Sequence, residues 1–311
     1  MPPSDKNMTI PPLTDREKEL SVALEQDVRF LSEDIGERNL HRPGSMQATT
    51  DWLQQRLKDI GYRPEKQFYE IEQGIHRGKE SANVIAELKG TTLSDEIIVI
   101  GAHYDSVLNS PGANDNASAV ASLLALAEWF TNRPQERRIR FIFFANEEPP
   151  FFHTPDMGSY AYARNLSNMD ENIISMVALD GLGFFSDEPG SQNYPVPGIG
   201  FMYPNEANFI AFVTKLGNRN LLNSVISAFR ETASVPAEGA ALPGFIPGVY
   251  WSDHWSFWQH DIDALLVTDT LLFRDPAYHS PDDTPERLNY KMMARVTAGL
   301  QTVIKHLASD D

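Results

Sequence analysis

An unbroken apolar run, Ile97–Ile100 within EIIVIGAHY, constrains the fold more than any other feature of the chain. Strands buried on both faces read as continuous apolar runs, and they occur mainly in parallel sheets covered by helices on both sides. RIRFIFFANEE, IISMVALDGLG and DALLVTDT repeat the pattern, with helical patterns between them. Apolar strands that alternate with helices predict an α/β fold, a three-layer sandwich whose central, mostly parallel mixed sheet is flanked by helices.

The remaining segments extend this prediction along the chain. Thr14 and Asp15 are suited to cap a helix that runs to about Leu31, and the segment after RPGS predicts an amphipathic helix that Gly61 ends. We expect its core face to carry Met46, Trp52, Leu53 and Leu57. Alternating residues predict strands in QFYEIEQG and SANVIAELKG. Further helices are predicted over 116–132, GSYAYARNL, NEANFIAFVTKLGNR and the C-terminal YKMMARVTAGLQTVIKHLASD. The Pro-rich residues 1–14 are expected to be a mobile tail, and residues 15–311 a single domain.

Composition narrows the classes of partner. The 311 residues include 26 basic and 43 acidic side chains, a formal net charge of −17, which argues against nucleic-acid and membrane-surface binding. The chain has no cysteine, so disulfides, zinc–thiolate sites and a cysteine nucleophile are excluded, and His and carboxylates would have to hold any metal. No apolar run approaches the ~20 residues that span a bilayer, and no signal peptide is visible, so the sequence favours a cytoplasmic protein.

Polar side chains follow three predicted strands at the points where the strands end. His103 and Asp105 follow Glu96–Ile100, the pair Glu147 and Glu148 follows 140–145, and Asp180 ends 173–179. Each has an ordinary explanation when taken alone, such as a surface His, a solvated Glu pair or a turn Asp. Ligands bind in the crevice outside the carboxyl ends of parallel strands, where these ends converge, so their joint occurrence predicts one functional site.

Metal chemistry gives the pattern a reason. Two-metal hydrolase sites need a carboxylate that bridges ions ~3.5–4 Å apart, and Asp115 lies in a Gly/Asn-rich loop that can approach two ions, although it could also be only a helix cap. Asp105 is suited to accept the second ring N–H of His103. In the Glu147–Glu148 pair, one carboxylate can bind metal while the other takes a proton from the attacking water.

Five segments in order, GAHYDS, GANDNASA, NEE, LDGLG and YHSPDDT, resemble the zinc-dependent exopeptidases of the M28 peptidase family, which includes aminopeptidases and glutaminyl cyclases. Together they span residues 101–283, and SDHWSF and RPGS resemble further family segments. The five segments together are specific to this family, whereas a pair of glutamates or a His-x-Asp motif alone would be weak evidence for it.

The resemblance implies a role for each matching residue. It implies five metal ligands, His103 and Asp180 for one ion, Glu148 and His279 for the other, and Asp115 bridging both. It makes Glu147 the general base and acid, with Asp105 supporting His103. Tyr278 is a candidate donor to the oxyanion, although an aromatic packed under the loop is an equal reading.

The implied function is a zinc-dependent aminopeptidase with two zinc ions, acting on peptides with a free N-terminus. Glutaminyl cyclase activity around a single zinc stays an alternative. A non-catalytic relative is disfavoured because no ligand and no base is lost. Phosphoryl or carbohydrate hydrolysis is open on metal chemistry alone, since metals do not choose the substrate. Oligomeric state and side-chain preference stay open.

The sequence departs from the family pattern at PPFFHTPDM, residues 149–157. This insert places Phe151, Phe152 and His153 beside the expected site, either as a substrate rim or as loop packing, and His153 is a rival metal ligand. Aromatics of the 184–204 loop and the tryptophans of GVYWSDHWSFW are expected either to line an apolar pocket or to fill the core. The three tryptophans are Trp251, Trp255 and Trp258.

Overall fold

The computed structural model describes residues 10–166 and 171–310, and its centre is an eight-stranded mixed sheet. The strands are β1 Glu65–Glu70, β2 Glu80–Leu88, β3 Gly90–His103, β4 Gln135–Phe144, β5 Asn172–Leu179, β6 Ile210–Lys215, β7 Ala237–Leu242 and β8 Ala264–Thr268. Their order across the sheet is β1-β2-β4-β3-β5-β8-β6-β7. The pairings β4–β3, β3–β5, β5–β8 and β6–β7 are parallel and the other three antiparallel, which confirms a mostly parallel mixed sheet.

Helices flank the sheet. They are α1 Asp15–Arg29, α2 Ser45–Asp59, α3 Ala119–Phe130, α4 Gly158–Ala163, α5 Arg219–Thr232, α6 His254–Trp258 and α7 Tyr290–Leu307. Two π-helical segments, Phe30–Ile35 and Ala113–Ser118, extend α1 and precede α3. Residues 1–9 of the predicted tail lie outside the described residues, and the division of the chain at residue 15 stays a prediction.

The predicted first two helices are present, with local causes for their ends. At the start of α1, Thr14 Oγ1 accepts the backbone N–H of Glu17, and the Glu17 carboxylate accepts the N–H of Thr14, a capping box. On α2, Met46, Leu53 and Leu57 are buried as predicted. Trp52 is partly buried, packs against the same core and stacks on Phe30 at 5.0 Å between ring centroids.

The apolar run of β3 is explained by packing on both faces. Ile98 and Ile100 belong to a large core shared with α1, α2, α3, α5 and α7, whereas Ile97 and Val99 belong to a second core shared with α4 and α6. Successive side chains of a strand point to opposite faces. Burial on both faces confirms the three-layer arrangement.

The helix predicted over residues 205–219 is wrong. Ile210–Lys215 forms β6, paired antiparallel with β8 and parallel with β7. The short apolar run from Phe209 to Val213 fits a helix or a strand by periodicity alone. Pairing with two neighbouring strands decides for the strand. The helix of this region is α5, which begins only at Arg219. The sequence patterns did not predict α5, β7 or α6.

The sheet topology places the candidate site residues at one edge of the sheet. The carboxyl ends of the parallel strands β4, β3, β5 and β8 lie side by side. His103 is the last residue of β3 rather than a loop residue, and Asp180 directly follows β5. The polar residues predicted to converge therefore emerge at the same edge of the sheet.

Candidate metal centre

One group of potential ligands surrounds the ring of His103. Its Nε2 lies 3.3 Å from Asp115 Oδ1 and 3.4 Å from Asp180 Oδ1. All three residues are buried, and one ligand atom from each lies within 4.8 Å of the others. Two carboxylates and one imidazole match the donor atoms that zinc accepts.

A second group forms around His279, in the loop that precedes α7. His279 Nε2 lies 3.2 Å from Asp115 Oδ2 and 3.1 Å from Glu148 Oε2. Asp115 therefore belongs to both groups, with Oδ1 facing His103 and Oδ2 facing His279. One carboxylate with an oxygen towards each group has the arrangement of a bridging ligand.

The donor atoms fit divalent cations. His103 Nε2, Glu148 Oε1 and Asp180 Oδ1 are buried without a hydrogen-bond partner. Buried polar atoms normally have partners, and such orphans call for an explanation. A metal ion would supply the missing partner in each case, because His103, Glu148 and Asp180 each belong to one of the two groups that could hold one.

The pKa shifts show how much negative charge is concentrated here. Burial opposes ionisation of Asp115, but the imidazoles of His103 and His279 outweigh burial and hold its pKa below the ordinary value. Burial also lowers the pKa of His279, yet Asp115 and Glu148 raise it to about 11. Burial and then Asp115 raise the pKa of Glu148 to about 7. Groups whose pKa values are forced apart in one cluster are typical of functional sites.

Asp105 supports this centre in two ways. Its Oδ1 and Oδ2 accept the backbone N–H groups of Glu147 at 3.0 Å and Glu148 at 3.1 Å. Its Oδ1 also lies 3.5 Å from His103 Nδ1, while the backbone oxygen of Asp105 is closer to that ring nitrogen, at 3.2 Å. The carboxylate expected to orient His103 therefore also anchors the backbone of both glutamates.

Asp283, which the sequence did not single out, anchors the loop that carries Asp115 through hydrogen bonds to its backbone. The Asp283 carboxylate accepts the N–H of Asn114 at 2.7 Å and that of Asp115 at 3.1 Å. The Asp283 backbone oxygen accepts the N–H of Ala113. Asp283 lies within YHSPDDT, so that segment supplies an anchor for this loop as well as His279.

The two asparagines beside Asp115 join its loop to the end of β5. Asn116 donates to Leu179 O at 3.1 Å and accepts the N–H of Gly181 at 3.0 Å. Asn114 accepts the N–H of Gly183 at 2.9 Å. These bonds fix the position of Asp115 relative to Asp180, which explains why a simple strand-to-helix connection carries so many polar residues.

Glu147 belongs to neither group of ligands. Its Oε2 lies 3.9 Å from His103 Nε2, and burial, followed by Glu148 and Asp180, raises its pKa well above the ordinary value. Asp253, in SDHWSF, is a further buried carboxylate near Glu147, and burial raises its pKa to about 7. The resemblance to the family included the segment SDHWSF, but no feature of the local sequence distinguished Asp253 within it.

A cavity of about 340 Å³ opens from the carboxylates of this centre. Its walls are mainly apolar and include Phe152 of the insert and Trp251. Tyr278 also lines it, with its ring stacked on His279 at 3.8 Å between centroids. The 184–204 loop contributes Tyr194, Ile199 and Tyr203, as one of the two interpretations of its aromatic residues predicted.

The insert packs by aromatic stacking. The ring of His153 lies between Phe152, at 3.9 Å, and Trp255, at 4.1 Å, and its Nε2 contacts Tyr250 O at 3.0 Å. His153 belongs to neither group of potential ligands, so the structure gives no support to it as a rival ligand. Trp255 and Trp258 do not line the cavity, and Trp258 is core material.

Comparisons with known proteins identify the family of the chain. Residues 83–304 match the family model described as Peptidase family M28. The chain is 35% identical to the uncharacterized protein YfbL of Escherichia coli K12, covering 90% of this chain and 86% of that protein. It is 24% identical to the probable aminopeptidase YDR415C of Saccharomyces cerevisiae, covering 84% and 66%.

Solved structures share the fold at low sequence identity. A zinc aminopeptidase from Bacillus subtilis, BSAP, superimposes with a TM-score of 0.73 at 16% identity, over 93% of this chain and 95% of that one. A glutaminyl cyclase from Bacteroides thetaiotaomicron superimposes with a TM-score of 0.68 at 17% identity, over 96% and 99%. The fold alone therefore does not separate the two activities.

Among the described residues, no helix has both the length and the apolar character needed to cross a membrane.

Proposed function

Because the chain belongs to peptidase family M28, we propose that it is a zinc-dependent aminopeptidase that holds two zinc ions and removes N-terminal residues from peptides. The position of Asp115 carries the proposal. Its two oxygens face separate groups of donors, His103 with Asp180 and Glu148 with His279. A site for a single ion needs no carboxylate shared in this way.

The metal ligands and Glu147 have separate roles in the proposed hydrolysis. When bound, zinc acts as a Lewis acid that polarises a carbonyl group and lowers the pKa of a water molecule to about 7. Glu147, which is left out of both ligand groups, accepts a proton from the attacking water and returns it to the leaving amine. Burial and neighbouring carboxylates raise the pKa of Glu147 above its ordinary value, which makes its carboxylate a stronger proton acceptor than an exposed glutamate.

Two further contacts of the substrate follow from the cavity. Carboxylates of the metal centre line the cavity and attract the free ammonium group of a peptide, which favours unblocked N-termini. Tyr278 lines the same space, and its hydroxyl is the proposed donor to the oxyanion that forms at the scissile carbonyl. The apolar cavity receives the side chain of the first residue.

The test combines metal content with a peptide panel. Protein purified without chelators should contain close to two zinc ions per chain by elemental analysis. Mass spectrometry should show release of the first residue from Leu-, Phe- and Lys-initiated peptides and no reaction of their N-acetylated forms.

A cyclase would give a different result. One zinc ion per chain, with loss of ammonia from Gln-initiated peptides and no other reaction, would replace the aminopeptidase proposal. Zinc-saturated protein that leaves every peptide intact would identify a non-catalytic relative.

A further inference from the structure

The cavity beside the metal centre ends at a carboxylate that the proposed chemistry does not use. Glu238 lies on β7, is only 4% exposed and lines the cavity. The other carboxylates along the cavity, Asp115, Glu147, Glu148 and Asp180, all belong to the centre itself. Among the described residues that form its walls, Glu238 is therefore the one acidic side chain at a distance from the metal ligands.

Strand pairing places Glu238 in a row of neighbouring residues that runs across the sheet from the metal centre, and Glu238 lies at the other end of this row. Ala211 of β6 pairs with Thr268 of β8 on one side and with Glu238 on the other. Asp180 follows the pair Leu179 and Val267, so it continues the same row on β5. With strands about 4.8 Å apart, the backbone of Glu238 is roughly 14 Å from that of Asp180.

Between the two ends the floor of the cavity is mostly apolar, and Thr268 of β8 adds a hydroxyl beside the metal centre. Side chains of alternate residues share a face, and Leu266, Ala211, Val213, Ala240 and Leu242 all line the cavity from β8, β6 and β7. A side chain that enters beside the metal centre and runs along this floor meets mostly apolar groups first and a carboxylate last. This sequence of surroundings matches a long aliphatic stem that ends in a cation.

Resting on the proposed aminopeptidase function, we propose that Glu238 makes this cavity selective for peptides whose first residue is lysine or arginine. A branched or short apolar side chain fills the floor but leaves the carboxylate without a partner from the substrate. An apolar side chain long enough to reach it displaces water from a charged group and forms no ion pair in return, which penalises the apolar substrate.

Arg230 does not remove this selectivity. It reaches Glu238 from α5, with Nη2 3.9 Å from Oε2, while it also donates to the backbone oxygen of Ala237. The two oxygens of a carboxylate can accept several donors, so a substrate cation can bind beside Arg230.

The experiment compares two peptides that differ only in the terminal amine, one initiated by lysine and one by norleucine. The zinc-loaded protein should show a larger kcat/KM for the lysine peptide, and a Leu-initiated peptide serves as the reference for activity. Glu238→Gln should lower the ratio of the two kcat/KM values by about tenfold to a hundredfold, the range that hydrogen bonds to a charged group supply. Most of this loss should appear in KM.

Glu231→Gln is the matched control. Glu231 is exposed on α5, next to Arg230 and outside the cavity lining, so this substitution removes the same charge without touching the pocket. It should leave the lysine-to-norleucine ratio unchanged. A Glu238→Gln variant with the wild-type ratio, or a wild-type protein that prefers norleucine, would overturn the proposal.

Failure of the aminopeptidase proposal is separable from failure of this one. If no peptide is hydrolysed, the aminopeptidase reading fails, and calorimetry with lysinamide and norleucinamide still tests the pocket. Tighter binding of lysinamide that Glu238→Gln abolishes supports the selectivity, whereas equal binding of the two amides rejects it.

Discussion

Replacing Arg38 with methionine should destabilise the protein and disturb the metal centre together. Arg38 has no exposed surface, and its guanidinium donates to five backbone carbonyls. They are those of Leu31, Gly36, Tyr104, Pro111 and Gly112. The last two precede the loop that carries Asp115, so a side chain outside the site fixes the backbone that leads to the proposed bridging carboxylate.

The contacts set the size of the effect. A buried acceptor left without a donor costs about 1–3 kcal/mol. Leu31 O and Gly112 O keep the backbone N–H groups of Gly36 and Ala117 as donors, so the loss of donors to the remaining acceptors amounts to roughly 3–9 kcal/mol before relaxation. Replacement by methionine also removes the cost of burying a charge, which restores several kcal/mol of unfolding free energy. We expect Arg38→Met to lose about 3–5 kcal/mol of unfolding free energy, the range found when one member of a buried charged network is removed. At roughly 2–4 °C per kcal/mol, Tm should fall by about 10 °C.

Thermal unfolding followed by tryptophan fluorescence, in chelator, measures this loss apart from metal binding. Zinc titration of the folded variant should then show weaker binding than in the wild type. Arg77→Met is the control, because Arg77 is exposed and surface substitutions shift stability by only about 0.5 kcal/mol. A Tm for Arg38→Met within about 2 °C of the wild-type value would contradict the assigned role, since so small a shift corresponds to only about 1 kcal/mol.

Three other predictions concern single side chains. Glu147→Gln should keep zinc and the fold but lose about 10²–10⁴-fold in kcat, whereas Glu148→Gln should weaken zinc binding in a titration; the opposite pair of phenotypes would exchange their roles. Burial lowers the pKa of His254 to about 4, below the value of about 6.5 in unfolded chains, so stability should be complete above pH 6.5 and fall by up to about 1.4 kcal/mol per pH unit towards pH 4. Urea unfolding in chelator should show a smaller pH slope for His254→Gln than for the wild type, and identical slopes would rule out this histidine as the cause. Thr14→Ala removes one half of the capping box of α1 and should cost about 1 kcal/mol, measured by the same unfolding assay, with no change of kcat.

The sequence predicted which polar residues meet at one edge of the sheet, because the signals for them are local. Continuous apolar runs identified β3, β4, β5 and β8, and the polar residues at their ends were expected to converge because parallel strands end on one side. The short run that became β6 was misassigned, since periodicity over five residues does not separate a strand from a helix.

Side chains that act across long separations in the chain were decided only by the tertiary structure. Asp283 supports a loop about 170 residues earlier, and Glu238 enters the cavity because Ala211 pairs with it across the sheet. Nothing in the local sequence marks either carboxylate as different from a solvated surface residue. Residue types and short-range periodicity set the strands, the helices and the donor atoms available for metal. Which donors face each other, and which carboxylate ends the pocket, depends on strand register and burial, because these quantities exist only once distant segments have packed together.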